Sequence, residues 1–211
     1  MDGAQAGSGL RASGSGLPQA PDSGLQASTA ALPDAGPPSP PSPQRAVAPP
    51  TPEGPEAWER AARAQDWAEA IRLAQARGFR QLTGSLDVER LLLLSDAARF
   101  GGQGRLAVEA LTALRRRFPN RPERHEAAYL LGRVHADQLL DLEQGARWFE
   151  IAYSEAPDGP LAEESLARAL ELAVSRSDAE KARALAAGYL ARFPAGPHAA
   201  GARRALAEKG P

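Results

Sequence analysis

The chain has 211 residues, 43% of them hydrophobic and 24% charged, with a formal net charge of -1, a balance that excludes only a strongly basic or strongly acidic surface. It contains no cysteine, which rules out disulfides, thiolate nucleophiles, cysteine-held zinc or iron–sulfur sites and a lipid-modified N-terminal cysteine.

No run of about 18 apolar residues is present, so no membrane-spanning helix is expected. The opening MDGAQAGSGLRASGSG has neither the basic cluster nor the apolar core of an export signal. As written, the chain is expected in the cytoplasm; a truncated N-terminus would make it periplasmic. Residues 1–52 form one compositional block rich in Pro, Gly, Ser and Ala, with no aromatic residue and almost no charge. Such a segment buries too little apolar surface to offset its ordering entropy, roughly 1–2 kcal/mol per residue. It reads as a disordered arm or linker, with polyproline II character from Gly36 to Pro52. A proline-motif ligand for a partner's aromatic groove is the alternative to a plain spacer.

Residues 53–211 read as helices throughout. Pro55 suits a first turn, and Glu56 to Ala64 predicts a short helix with Trp58 and Ala62 on one side. Asp66 to Glu69 has the form of a capping box, opening a helix from Trp67 to Arg77 with Ala70, Ile71 and Ala74 inward. Gly78 ends it, and Phe79 to Ser85 is expected to be a loop. Val88 to Pro119 then predicts two antiparallel helices. Leu91, Leu94 and Ala98, followed by Ala107, Leu111 and Leu114, are spaced three or four apart, with Gly101, Gly102 and Gly104 between the two stripes. A single hairpin cannot bury such stripes and requires neighbours of its own kind.

Pro122 to Gln138 predicts a long helix with Ala127, Leu130, Leu131 and Val134 inward. Asp141 to Gln144 forms a second capping box, and the helix behind it carries Trp148, Phe149, Ala152 and Tyr153. One member of the adjacent Trp148/Phe149 pair must point off the main stripe. Pro160 to Ser175 repeats the theme with Leu161, Leu166, Ala169, Leu170 and Ala173. Ser177 to Glu180 makes a third capping box, before a helix with Ala182, Leu185, Ala186 and Tyr189 inward. His198 to Glu208 is expected to cap the array, using Ala202 and Leu206 against the core and Arg203 and Arg204 outside.

Pro119, Pro157 and Pro194 each close a hairpin, at separations of 38 and 37 residues (157 − 119 and 194 − 157). The pattern resembles the tetratricopeptide repeat, a helix–turn–helix unit of about 34 residues. Leu91, Leu94, Ser95, Ala98, Ala107, Leu111, Leu114 and Pro119 take its positions without gaps. Leu131-Gly132 stands at the Leu-Gly pair of the next unit, with Phe149, Ala152 and Pro157 after it, and Leu166, Ala169, Leu170, Ala173, Ala182, Ala186, Tyr189 and Pro194 form the third. The units run about 55–82, 86–119, 122–157 and 160–194, with a capping helix 197–209. The resemblance implies an all-α, right-handed superhelical stack of antiparallel hairpins, an α-solenoid following the disordered arm. The phrases Arg-Arg-Phe-Pro and Ala-Arg-Phe-Pro-Ala-Gly-Pro-His-Ala further resemble the bacterial envelope subgroup. That subgroup includes outer-membrane-assembly lipoproteins and the repeat tails of ferric-citrate-sensor-type regulators.

Catalytic signatures are thin. His125-Glu126 resembles the start of a zinc-protease motif, but Tyr129 stands where the second histidine belongs. His135 reads as a half-buried interhelical residue and His198 as a solvated one. Gly101-Gly102-Gln103-Gly104-Arg105 lacks the Gly-Lys-Ser/Thr ending of a phosphate loop and reads as a turn. No nucleophile elbow occurs, and Glu163-Glu164 sits at a helix start, where the dipole favours acids. The basic cluster of Arg115, Arg116, Arg117, Arg121, Arg124 and His125 is small and has no aromatic interleaving beyond Phe118. The expectation is therefore a protein that is not an enzyme, with no cofactor, no metal, no nucleic-acid partner and no membrane insertion.

The resemblance also implies that the first helix of each unit lines a concave face. Its exposed positions would be Glu89, Leu92, Asp96 and Arg99, then Glu126, Tyr129 and Arg133, then Glu164, Ala167 and Glu171. This is a mixed, mildly acidic groove, without the Lys/Asn/Arg clamp by which some members grip a C-terminal carboxylate. The expected function is a scaffold that binds a peptide or protein partner along that face. The alternative is a periplasmic module of an envelope system, in outer-membrane assembly or as a sensor or anti-sigma-type regulator, whose N-terminal part is missing or separately encoded.

Overall fold

The computed structural model of the chain describes Gly54 and residues 56–207, which fall within one compact unit. The predicted arm, Pro55 and the last residues of the predicted capping helix lie outside them. Ten α-helices follow one another among the described residues, with no strand. They are α1 (Ala57–Arg63), α2 (Trp67–Arg77), α3 (Phe79–Ser85), α4 (Val88–Phe100), α5 (Gly104–Arg117), α6 (Glu123–Arg133), α7 (Leu142–Glu155), α8 (Ala162–Ser175), α9 (Ala179–Arg192) and α10 (Ala199–Ala207). The all-α expectation is met.

Local chemistry starts four of these helices in the same way. Asp66, Asp87, Asp141 and Asp178 each accept a hydrogen bond from the amide three residues on, at 3.2, 2.9, 3.0 and 3.1 Å. Such a cap contributes about 1 kcal/mol. The expected capping boxes are only half made. Glu69 does not reach back but pairs with Arg72, at 2.5 Å, and in the third box Asp178, not Ser177, is the cap.

A common backbone turn links the paired helices. Gln65, Gly102, Leu140 and Ser177 all have positive φ (61°, 70°, 56° and 58°), and each immediately precedes the N-cap residue of the next helix. They stand 37, 38 and 37 residues apart (102 − 65, 140 − 102, 177 − 140). The left-handed residue reverses the chain within a few positions, so the two flanking helices lie alongside each other. Helices pack in serial order: α4 on α5, α5 on α6, α6 on α7, α7 on α8, α8 on α9 and α9 on α10. Alternate helices also meet, α2 on α4 and α8 on α10.

Several expectations change. Phe79–Ser85, read as a loop, is the helix α3, which leaves the series and packs on α5. Its lone Gly84 and the polar Arg80, Gln81 and Ser85 hid the stripe of Phe79, Leu82 and Thr83 that it buries. Gly104 belongs to α5 rather than to the turn. It is buried because a Cβ there would stand 3.1 Å from Gln138 Oε1 and Leu139 Cδ2. The long helix after Pro122 widens into a π turn at Val134–Gln138. In α10 the buried stripe is Ala199, Ala202 and Ala205, while Leu206 is 41% exposed. The Trp148/Phe149 pair divides as expected: Phe149 is fully buried, and Trp148 lies partly exposed under the Arg115 guanidinium.

Two glycines fix how closely α6 and α7 approach. A Cβ on Gly132 would stand 2.7 Å from the Phe149 ring, and one on Gly145 would stand 2.9 Å from the Ala136 Cβ. The Leu131-Gly132 pair therefore has a packing reason in this chain: the missing side chain is the space that Phe149 fills.

Candidate partner-binding face

The alternate helices α4, α6 and α8 carry the positions implied to bind a partner. From the π turn eastward along the chain, the structure ties several of them into one polar run. Arg133 pairs with Asp137 at 3.6 Å, and Asp137 receives Arg168 Nη2 at 2.7 Å. Arg168 Nη1 pairs with Glu171 at 3.0 Å. His198, just before α10, stands 3.3 Å from Glu164 and 3.7 Å from Glu171. The Arg168 guanidinium also covers the Phe149 ring at 5.6 Å, with the Tyr129 ring on that same ring at 5.5 Å. Burial holds the Tyr129 hydroxyl above its ordinary pKa, and the Glu164 charge raises it further. Arg133, Tyr129, Glu164 and Glu171 are thus brought together. Each exposed pair contributes about 0–1 kcal/mol, so the run sets shape and charge pattern more than stability.

Three members were not among the expected residues: Asp137, Arg168 and His198. Asp137 lies on the π turn, whose wider backbone shifts the face it occupies. Arg168 sits one turn from both Glu164 and Glu171, a helical spacing that could have revealed it. His198 is not a solvated loop residue: its side chain is 33% exposed, its ring lies edge-on to Tyr189 at 6.3 Å, and two carboxylates flank it.

On α4 the outcome is mixed. Asp96 and Arg99 pair at 2.8 Å, but the Arg99 side chain is only 12% exposed, its guanidinium lying 4.8 Å from the Phe100 ring. Gln138 Nε2 donates to the Arg99 carbonyl at 3.0 Å, which joins the end of α4 to the end of the π turn. Leu92 packs partly against the core. Glu89 is exposed and lines a separate hollow with Asp87, Val88, Phe118 and Arg121, while Glu126 is simply exposed. Ala167 is not an exposed position: it is 1% exposed, because it faces the alanine-rich core between α8 and its neighbours.

A keystone beneath this face explains the Phe-Pro-Ala-Gly-Pro-His phrase. The buried Tyr189 hydroxyl donates to Glu163 Oε1 at 2.5 Å and accepts from the His198 amide at 3.1 Å. Gly196 lies so close that a Cβ would collide with Glu163 Oε1 and Tyr189 Oη. Burial pushes the Tyr189 hydroxyl up from its usual pKa, and its bond to Glu163 adds to that.

The basic cluster is largely occupied. Arg115 makes a two-pronged contact with Glu155, both bonds at 2.8 Å, and donates to the Arg124 carbonyl at 2.7 Å. Arg124 shares Glu155, Arg121 pairs with Glu123, and Arg117 donates to the Thr83 and Leu86 carbonyls. The Arg115 bond holds the Glu155 carboxyl below the usual carboxylate range. Among the described residues no three His, Asp or Glu gather as a metal site, and no helix is long and apolar enough to cross a membrane. No protein-family model matches the chain, and neither does any curated protein.

Proposed function

We propose that the protein is a non-catalytic interaction scaffold of the tetratricopeptide-repeat type, a right-handed superhelical stack whose α4–α6–α8–α10 face holds an extended peptide or protein segment. The observation that carries this reading is the continuous run Arg133–Asp137–Arg168–Glu171–His198–Glu164, with Tyr129 beside it, passing from α6 and its π turn across α8 to the turn before α10. It presents alternating charges and one aromatic hydroxyl along a line, which suits the backbone and polar side chains of an extended segment. Serial helix packing, the Gly132–Phe149 fit and the turn that recurs every 37 or 38 residues support the repeat assignment. A short segment must order on binding, so the affinity is expected in the micromolar range.

Selection from a random peptide display library on the immobilised full chain tests this. Selected peptides should lose binding when Tyr129→Ala and Arg133→Ala are combined, with the melting temperature unchanged. Peptides that bind the double variant as tightly as the parent would sink the proposal.

A further inference from the structure

Three of the described arginines converge on one groove. Arg80, Arg105 and Arg116 line one groove of about 540 Å³ between α3 and α5, together with Thr83, Val108, Glu109, Thr112 and Ala113. Arg105 and Arg116 meet no carboxylate among the described residues, and Arg80 has only a 3.7 Å approach to Glu109. Three guanidinium groups thus share one carboxylate.

The groove exists because α3 turns out of the helical series onto α5. Its position is fixed from below: Phe79, Leu82 and Thr83 are buried, and Arg117 Nη1 donates to the Thr83 and Leu86 carbonyls at 2.9 and 2.6 Å. Arg80 is left projecting, its side chain 93% exposed. Across from it, Arg105, Val108, Glu109, Thr112 and Arg116 follow helical spacing along a single side of α5. Arg105 and Arg116 are therefore about 16 Å apart along the axis. That separation does not suit one phosphate group, which needs its donors converging. It matches about five residues of extended peptide at roughly 3.3 Å each. Between the cations the floor is Val108, Ala113 and the threonine methyls, with no aromatic ring for a base to stack on.

We propose that this groove is a second docking surface, taking an extended acidic peptide whose carboxylates meet Arg80, Arg105 and Arg116 while a small aliphatic side chain rests on Val108. It lies on α3 and α5, not on the α4–α6–α8–α10 face, and does not depend on the function proposed for that face. Glu109 is the one group in the groove that opposes an acidic ligand.

Fluorescence anisotropy with the full chain and a labelled, end-blocked Glu-Glu-Val-Glu-Glu peptide tests it. A Lys-Lys-Val-Lys-Lys peptide and a short labelled oligothymidylate are run in parallel. Saturable binding of the acidic peptide is expected, weakened about tenfold or more by R105E with R116E. Glu109→Gln should tighten it by roughly two- to threefold, an effect that misfolding would not produce. Changes at Tyr129 and Arg133 should leave it unaltered. Absence of saturation up to millimolar protein, or equal binding by the charge-reversed variant with an unchanged melting curve, would overturn the proposal. Tighter binding of the oligothymidylate than of the peptide would overturn it in favour of a nucleic-acid groove.

Discussion

The two halves of the helical array bury different things. From α1 through α6 most of the core is large side chains set among alanines, including Trp58, Ile71, Leu91, Leu94, Leu111, Leu114 and Leu131. From the π turn to α10 it is mostly alanine, interrupted by Phe149, Leu166, Leu170, Leu172, Leu185 and Tyr189. Large side chains contribute through apolar area removed from water, at about 25 cal/mol per Å². Alanine removes less, but lets the backbones come closer and leaves the helix boundaries to polar groups. The second half is accordingly laced across its helices by Lys181–Glu150 at 2.6 Å, Arg168–Asp137 at 2.7 Å and the Tyr189–Glu163 bond. Salt screens exposed charges but not buried leucine, so the half with fewer large core side chains should lose more of its stability as salt rises.

The comparison breaks first at Leu111. It is fully buried, at the centre of the first half's core, on α5 between α4 and α6. Leu111→Asp puts an unpaired charge where no partner can reach it, a loss above 4 kcal/mol. Far-UV circular dichroism should show the neighbouring hairpins unfolding together, since each leans on the next. Loss confined to α4 and α5 would mean that the halves are not mechanically joined.

A smaller change sharpens the same contrast from the other side. Tyr189→Phe keeps the ring and removes only the hydroxyl, stranding Glu163 and the His198 amide. About 1–3 kcal/mol should be lost. Hydrogen exchange should quicken in α8, α9 and α10 and stay unchanged in α1 to α5. A uniform increase over all helices would show that the polar lacing does not act locally.

How much of this could be read from the sequence follows the same division. Where apolar side chains are large, their three-and-four spacing announces the helix and its inward face, as in α4 and α5. Where alanine does the packing, the stripe is ambiguous, since alanine is tolerated inside and out. Hence Leu206 was expected inside α10 although the smaller Ala205 takes that place, and Ala167 was expected on the binding face although it is buried. The run Arg133–Asp137–Arg168–Glu171–His198 was only half legible. Its helical positions follow from spacing, but Asp137 depends on a π turn and His198 on a fold-back held by Tyr189, neither of which has a local sequence signature. The α3–α5 groove was not legible at all, because Phe79–Ser85 is too short and too polar to show a period.

The smallest expected effect concerns the turn both halves share. At Gly102, in the first half, the positive φ of 70° carries no strain, whereas Leu140, in the second, holds 56° with a leucine 77% exposed. A side chain in the left-handed region costs about 1–2 kcal/mol, part of which glycine returns through its greater freedom in the unfolded chain. Leu140→Gly should therefore raise stability by about 0.5–1 kcal/mol, read as a higher urea midpoint with the same slope. Gly102→Leu, the reciprocal change, should lower the midpoint by a similar amount. If Leu140→Gly lowers the midpoint instead, the exposed leucine is stabilising its turn through packing, and the second half is less dependent on polar lacing than its alanine core implies.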